Sequence, residues 1–172
     1  MRNISLRKIT ASALLAGLAL VSFVIESLFP PLFIPGARLG VSNVFILLSA
    51  ILLGAPYAYV ALIIKSVLGS LFAGNISAIM YSLPAGIIAL TLELLALKFT
   101  KFISLPAISV LGAVISNVIQ NLTFCIITGV WEYMSYIPYL ALLGIISGLI
   151  VGFTTYLIIK ILPQSVSDKL NA

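Results

Sequence analysis

The sequence predicts an all-α membrane protein, a single membrane domain over residues 1–172 built as a six-transmembrane-helix bundle with both termini cytoplasmic. Composition is the first observation behind this. Hydrophobic residues make up 62% of the chain and charged residues 8%, with a mean hydropathy of +1.29; a soluble domain carries roughly 25% charged residues. The second is punctuation: turn formers and charges cut the apolar sequence into six segments. The third is where the basic residues fall, at segment ends rather than on one soluble face. The net charge of +5 therefore serves topology and not nucleic-acid contact. One cysteine, Cys125, excludes an internal disulfide, and the absence of histidine leaves no zinc site, so no cofactor is expected.

The first helix is read over 9–28. Arg2, Arg7 and Lys8 ahead of it imitate a signal peptide. The apolar run is about 20 residues long, which suits a retained span, and no clean small-x-small site follows it. Segments 41–53 and 57–72 come next, split by Gly54-Ala55-Pro56, and are short enough to form one kinked helix. Charge arbitrates. With six helices and a cytoplasmic N-terminus, Arg2, Arg7, Lys8, Lys98, Lys101, Lys160 and Lys169 all fall inside, seven of the 9 basic residues. Merging the two segments moves the last four outside, against the positive-inside bias. The fourth helix spans 76–97 after Gly74-Asn75. The fifth spans 103–129 beyond Lys98 and Lys101, and the sixth 136–162 beyond Trp131-Glu132-Tyr133.

Topology leaves Arg38 and Lys65 unexplained. Lys65 lies near the middle of the third segment, too deep to snorkel easily, and burying it costs several kcal/mol without a partner. A structural ion pair is one outcome and a bound anion the other; Glu93 and Glu26 are not obviously level with it. Arg38 sits in a loop with three prolines and two glycines, residues 30–40, stiff enough to present its fork to a carboxylate or phosphate. Asn43 follows at the start of the second helix, where free N–H groups favour an anion. Lipid headgroups for Arg38 and helix capping for Asn43 are equally open.

The fifth segment carries the densest polar signal. Ser109, Ala113, Ser116, Asn117, Gln120, Asn121, Phe124 and Thr128 fall within an arc of about 140° at helical periodicity, opposite Leu111, Ile115, Val118, Ile119, Leu122 and Ile126. Amides inside a membrane glue helices together, or they line a cavity. Three amides and Ser116 on one face favour the cavity. Tyr81, Trp131 and Tyr136 offer aromatic surface near the outer rim. Small-residue stripes run along the first helix (Ser12, Ala13, Ala16 and Gly17) and the sixth (Gly144, Gly148 and Gly152). For the sixth, packing within the chain is expected; for the first, contact with another membrane subunit is as reasonable.

Glu26, then Pro-Gly-Ala-Arg-Leu-Gly-Val-Ser-Asn over 35–43, and Ser-Val-Leu-Gly-Ala-Val-Ile-Ser-Asn-Val-Ile-Gln over 109–120, together resemble the Gx transporter family, also labelled heptaprenyl diphosphate synthase component I. That family is similar to the substrate-binding S components of energy-coupling factor (ECF) transporters. Lys65 through Gly74 and Tyr81-Ser-Leu fit the same pattern. This chain departs from it at Arg38 (usually lysine), Lys65 (usually arginine), Ser116 (often histidine) and Pro84 (usually glycine); the cationic exchanges keep charge and change geometry.

The resemblance implies an S-component bundle with an outward-facing pocket for a small, anionic vitamin, cofactor or isoprenoid-type precursor. It implies a multi-pass protein of a prokaryotic cell membrane. A transmembrane coupling (T) subunit, docked at Ser12, Ala13, Ala16 and Gly17, and two ATPase subunits would supply energy. Binding would fall to Arg38, Asn43, Lys65, Tyr81, Ser116, Asn117, Gln120 and Asn121. No Walker loop is present, so ATP hydrolysis belongs elsewhere and no enzymatic activity is expected. Prenyl diphosphate synthesis needs clustered aspartates to hold magnesium, and Asp168 is the single aspartate. The other readings are a non-catalytic membrane accessory or anchor of a prenyl diphosphate synthase, and a stand-alone small-molecule transporter.

Overall fold

The computed structural model describes residues 6–28, 40–99 and 103–162, and every regular element among them is helical. The helices are α1 (Leu6–Leu28), α2 (Asn43–Leu52), α3 (Ala55–Phe72), α4 (Ala78–Phe99), α5 (Leu105–Thr128) and α6 (Ile137–Ile161), with a short 3₁₀ helix, Trp131–Tyr136, leading into the last. Prolines occupy the first turns of α3, α5 and α6, where a missing N–H costs nothing. Gly129, at φ 73°, ends α5 in the left-handed conformation and returns its N–H to the Cys125 carbonyl. Pro84 lies inside α4 without ending it, as neighbouring helices permit in a membrane bundle.

Five of the helices are long and apolar enough to cross a membrane. The expectation of six full spans is corrected at α2. Its 10 residues extend about 15 Å, half the hydrocarbon thickness. Nearly the whole helix is buried, with Val44, Ile46, Leu47, Leu48, Ser49, Ala50 and Leu52 inside the fold, so α2 is a core element wrapped by its neighbours.

The kinked-helix alternative is excluded by one contact. On a continuous helix, Asn43 and Lys65 would stand about 33 Å apart; instead the Lys65 ammonium donates to Asn43 Oδ1 at 2.6 Å. The chain reverses at Gly54, whose φ of 100° is left-handed territory. α2 and α3 form an antiparallel hairpin.

Neighbour contacts fix the remaining directions. Ala19 clusters with Ala58 and Leu62, and Phe23 lies against Gly69, so α1 and α3 run parallel. Gly86 faces Leu62 and the Thr91 hydroxyl meets Tyr59, so α4 runs back along α3. Glu93 at Gly112 and Tyr81 at Phe124 make α5 antiparallel to α4. Gly144 meets Val114 and Gly152 meets Pro106, so α6 opposes α5. Val44, Leu48 and Leu52 pack with Val151, Ile158 and Ile159, which sets α2 beside α6. The helices thus close a ring in the order α1, α3, α4, α5, α6, α2. Alternation puts Leu6 and Ile161 at one end, together with Lys8, Lys98 and Lys160, and Glu132 at the other.

The sixth-helix glycine stripe does pack within the chain. A Cβ at Gly144 would stand 2.8 Å from Val114 Cα, and one at Gly148 2.5 Å from Val110 Cα. The two backbones are in direct contact, as small-residue stripes allow.

Candidate functional site

The interior of the ring is polar in one zone. Lys65 lies ten residues after the start of α3 and seven before its end, hence about 15 Å and 10 Å from the two ends. It is 8% exposed. Its ammonium donates to Asn43 Oδ1 and stands 5.8 Å from the centroid of the Phe23 ring, within cation–π range. Asn43 reaches it because Glu26, near the end of α1, anchors the start of α2. Glu26 Oε1 accepts the Val41 N–H at 3.0 Å, and Oε2 accepts the Ser42 hydroxyl at 3.5 Å. Three helices therefore meet at one depth through a carboxylate, an amide and an ammonium.

The opposite wall comes from α4 and α5. Ser82 and Gly86 are one turn apart on α4; Ala113, Ser116, Asn117 and Gln120 occupy consecutive turns of α5. All of them, with Phe23, Glu26, Gly40, Ser42, Asn43, Leu62, Lys65, Ser66 and Ser147, line one cavity. About 60 Å³ of it is open to the centres of water molecules, several times the ~10–15 Å³ that one water requires. Gln120 is 9% exposed and hydrogen-bonds no described residue, and the Ser82 hydroxyl is buried with no partner. Asn117 donates Nδ2 to the Leu140 carbonyl at 3.1 Å. That bond fixes the amide to α6 and leaves Oδ1 as its acceptor.

The sequence-predicted set divides here. Asn43, Lys65, Ser116, Asn117 and Gln120 come together around the cavity. Asn121 does not line it. Its Nδ2 donates to the Tyr133 carbonyl at 3.1 Å and its Oδ1 accepts from Cys125 Sγ at 3.3 Å, so this amide fastens the 3₁₀ helix to α5. Tyr81 is also off the cavity wall. It stands edge-on to Phe124 at 5.7 Å, and Phe124 edge-on to Tyr133 at 5.2 Å, with Tyr136 beyond. Trp131 is exposed. Arg38 lies outside the described residues.

Sequence reasoning missed Glu26, Ser66 and Ser82 as lining residues. Glu26 carried a signal as an ionisable group near a span end, and Ser82 shares a helix face with Gly86. Their convergence with Lys65 depends on helix pairing. Glu93 sits lower on α4, against α5 at Gly112, where a Cβ would overlap its carboxylate; Lys65 acts on it electrostatically.

The small-residue stripe of α1 splits as well. Ser12 and Ala16 are buried inside the fold, so they are unavailable as an outward docking face. Ala13 is exposed, and the space beside Gly17 is open, with nothing within 4 Å of where a Cβ would stand.

No curated protein and no solved structure matches the chain. The family model described as heptaprenyl diphosphate synthase component I matches residues 15–158, from the middle of α1 almost to the end of α6. Over that extent, which takes in every residue of the cavity, the chain belongs to the heptaprenyl diphosphate synthase component I family.

Proposed function

We propose that this chain is the membrane-embedded substrate-binding subunit of an ECF-type importer, taking up a small polar molecule. The observation that carries this reading is the mid-bundle cavity, where an ammonium, a carboxylate already bonded to the start of α2, and several amides and hydroxyls converge within an apolar protein. Polar groups at that depth are costly unless paired. Helix glue accounts for Asn121 and half of Asn117, but Gln120 and Ser82 bond no described residue. In this reading Lys65 supplies charge to an anionic group on the ligand, oriented by Asn43, and Gln120, Ser116 and Asn117 give direction. Arg38, four residues before Ser42 in the sequence, is proposed as a second cation for the ligand. The basic end faces the cytoplasm, and the cavity lies in the outer half. A coupling subunit docks on α1 at Ala13 and Gly17, and two separate ATPases supply the energy.

Affinity purification from native membranes tests the assembly: coupling and ATPase subunits are expected to co-purify. Binding of the ligand, once identified by native mass spectrometry, should fall at least tenfold in Lys65→Ala and Asn117→Ala. Unchanged affinity in both variants would remove the site assignment.

A second reading has the family description in its favour, which names a synthase component. In that case the chain anchors a catalytic partner. Among the described residues, Glu26, Glu93 and Glu132 form no cluster that could hold magnesium on a diphosphate. Co-purification of a prenyltransferase in place of the ATPases would favour this reading.

A further inference from the structure

The cavity wall restricts what its ligand can be, an inference that rests on the reading of this cavity as a ligand site. Among the described residues, Phe23 and Leu62 are the large apolar side chains of the wall, and the others are small or polar. A prenyl chain buried there would press methylenes against Ser82, Ser116 and Gln120 and strip those groups of water without replacing the bonds. An isoprenoid tail does not fit that chemistry.

Two groups are unsatisfied in a specific way. Gln120 presents both a donor and an acceptor from one plane, is 9% exposed, and has no described partner. The Ser82 hydroxyl, on the facing helix, is buried and unbonded although it could have bonded back to its own helix. Lys65 with Asn43 lies on the opposite side of the same space. We propose that the cavity selects a compact molecule with two features: a negatively charged group for Lys65, and a neutral amide-type edge, donor beside acceptor, read by Gln120 and Ser82.

Three probes separate the elements of this claim on the purified full-length protein: orotate (carboxylate plus imide edge), benzoate (carboxylate on a flat ring without that edge) and geranyl diphosphate (charge plus isoprenoid tail). Thermal-shift titrations give apparent affinities. Orotate is expected to bind the wild type about tenfold more tightly than benzoate, the weight of one buried hydrogen-bonded edge. Gln120→Leu and Ser82→Ala should each erase that preference, the ratio of orotate to benzoate affinity falling to about one, with the ligand-free melting temperature read alongside as the check on folding. Neither side chain holds the fold together, so both variants should fold. Equal binding of orotate and benzoate, a preference that survives both substitutions, or a geranyl diphosphate response abolished by Lys65→Met would each overturn the inference, as would no response to any probe. The import reading is decided separately, by which subunits co-purify.

Discussion

An ammonium buried to 8% exposure inside an apolar bundle must find acceptors within reach of its own four-carbon stem. Lys65 finds Asn43 Oδ1 at 2.6 Å and the face of Phe23. Lys65→Met keeps the stem and removes the charge. It leaves Asn43 Oδ1 without its donor and should cost about 1–3 kcal/mol of stability, while abolishing binding of carboxylate probes. A thermal melt with and without benzoate checks both halves. Asn121 makes the opposite case. Its amide ties α5 to the Tyr133 carbonyl and to Cys125, so Asn121→Ala should cost about 1 kcal/mol of stability and leave probe affinity intact. If instead affinity fell and stability held, the division between lining and fastening amides would be wrong. Residue chemistry made Lys65, Asn43 and Gln120 legible in the sequence. It could not separate Asn121 from Gln120, because neighbouring positions on one polar arc differ only in what the next helix brings opposite them.

At the level of elements, α5 and α6 are held by backbone contact. Gly148 has Val110 Cα at 2.5 Å and the Ser109 carbonyl at 2.9 Å from any added Cβ. Neither neighbour is the movable tip of a side chain. Gly148→Ala should therefore destabilise by about 1–3 kcal/mol, whereas Gly17→Ala, with open space around it, should be neutral in the isolated protein. Should the Gly17 variant instead weaken recovery of a coupling subunit at unchanged stability, the outward face of α1 would gain direct support as the docking face. Detergent melting curves, read beside co-purification, provide both measurements. The glycine spacing along α6 announced this packing from the sequence alone. The stripe on α1 did not announce its division, since Ser12 and Ala16 turn inward while Ala13 and Gly17 turn out. The half-length of α2 was also obscure, because 41–53 reads as apolar whether it spans a bilayer or fills a core.

For the whole molecule, six alternating helices return the end of α6 to the side where α1 begins, although α2 is too short to cross. Lys8, Lys98 and Lys160 share that side and Glu132 lies opposite, which is the arrangement the positive-inside bias favours. In a Cys125→Ser background, a membrane-impermeant thiol reagent should label Glu132→Cys on intact cells and Lys98→Cys only after permeabilisation. Labelling in the reverse order would invert the bundle and turn the cavity towards the cytoplasm.

Composition, segment punctuation and charge placement were enough to establish a helical membrane protein, its segment order and most of its polar interior, because hydrophobicity and helical period are properties of the chain read locally. Tertiary structure alone decided that α2 folds back on α3 and stays inside the ring. It also decided that Glu26 and Ser82 meet Lys65 and Gln120 across one cavity, and that Asn121 is spent on the 3₁₀ helix. Each of these depends on which helices are neighbours and at what depth their residues meet. A periodic pattern specifies the face a side chain occupies on its own helix; the partner opposite that face is set by packing.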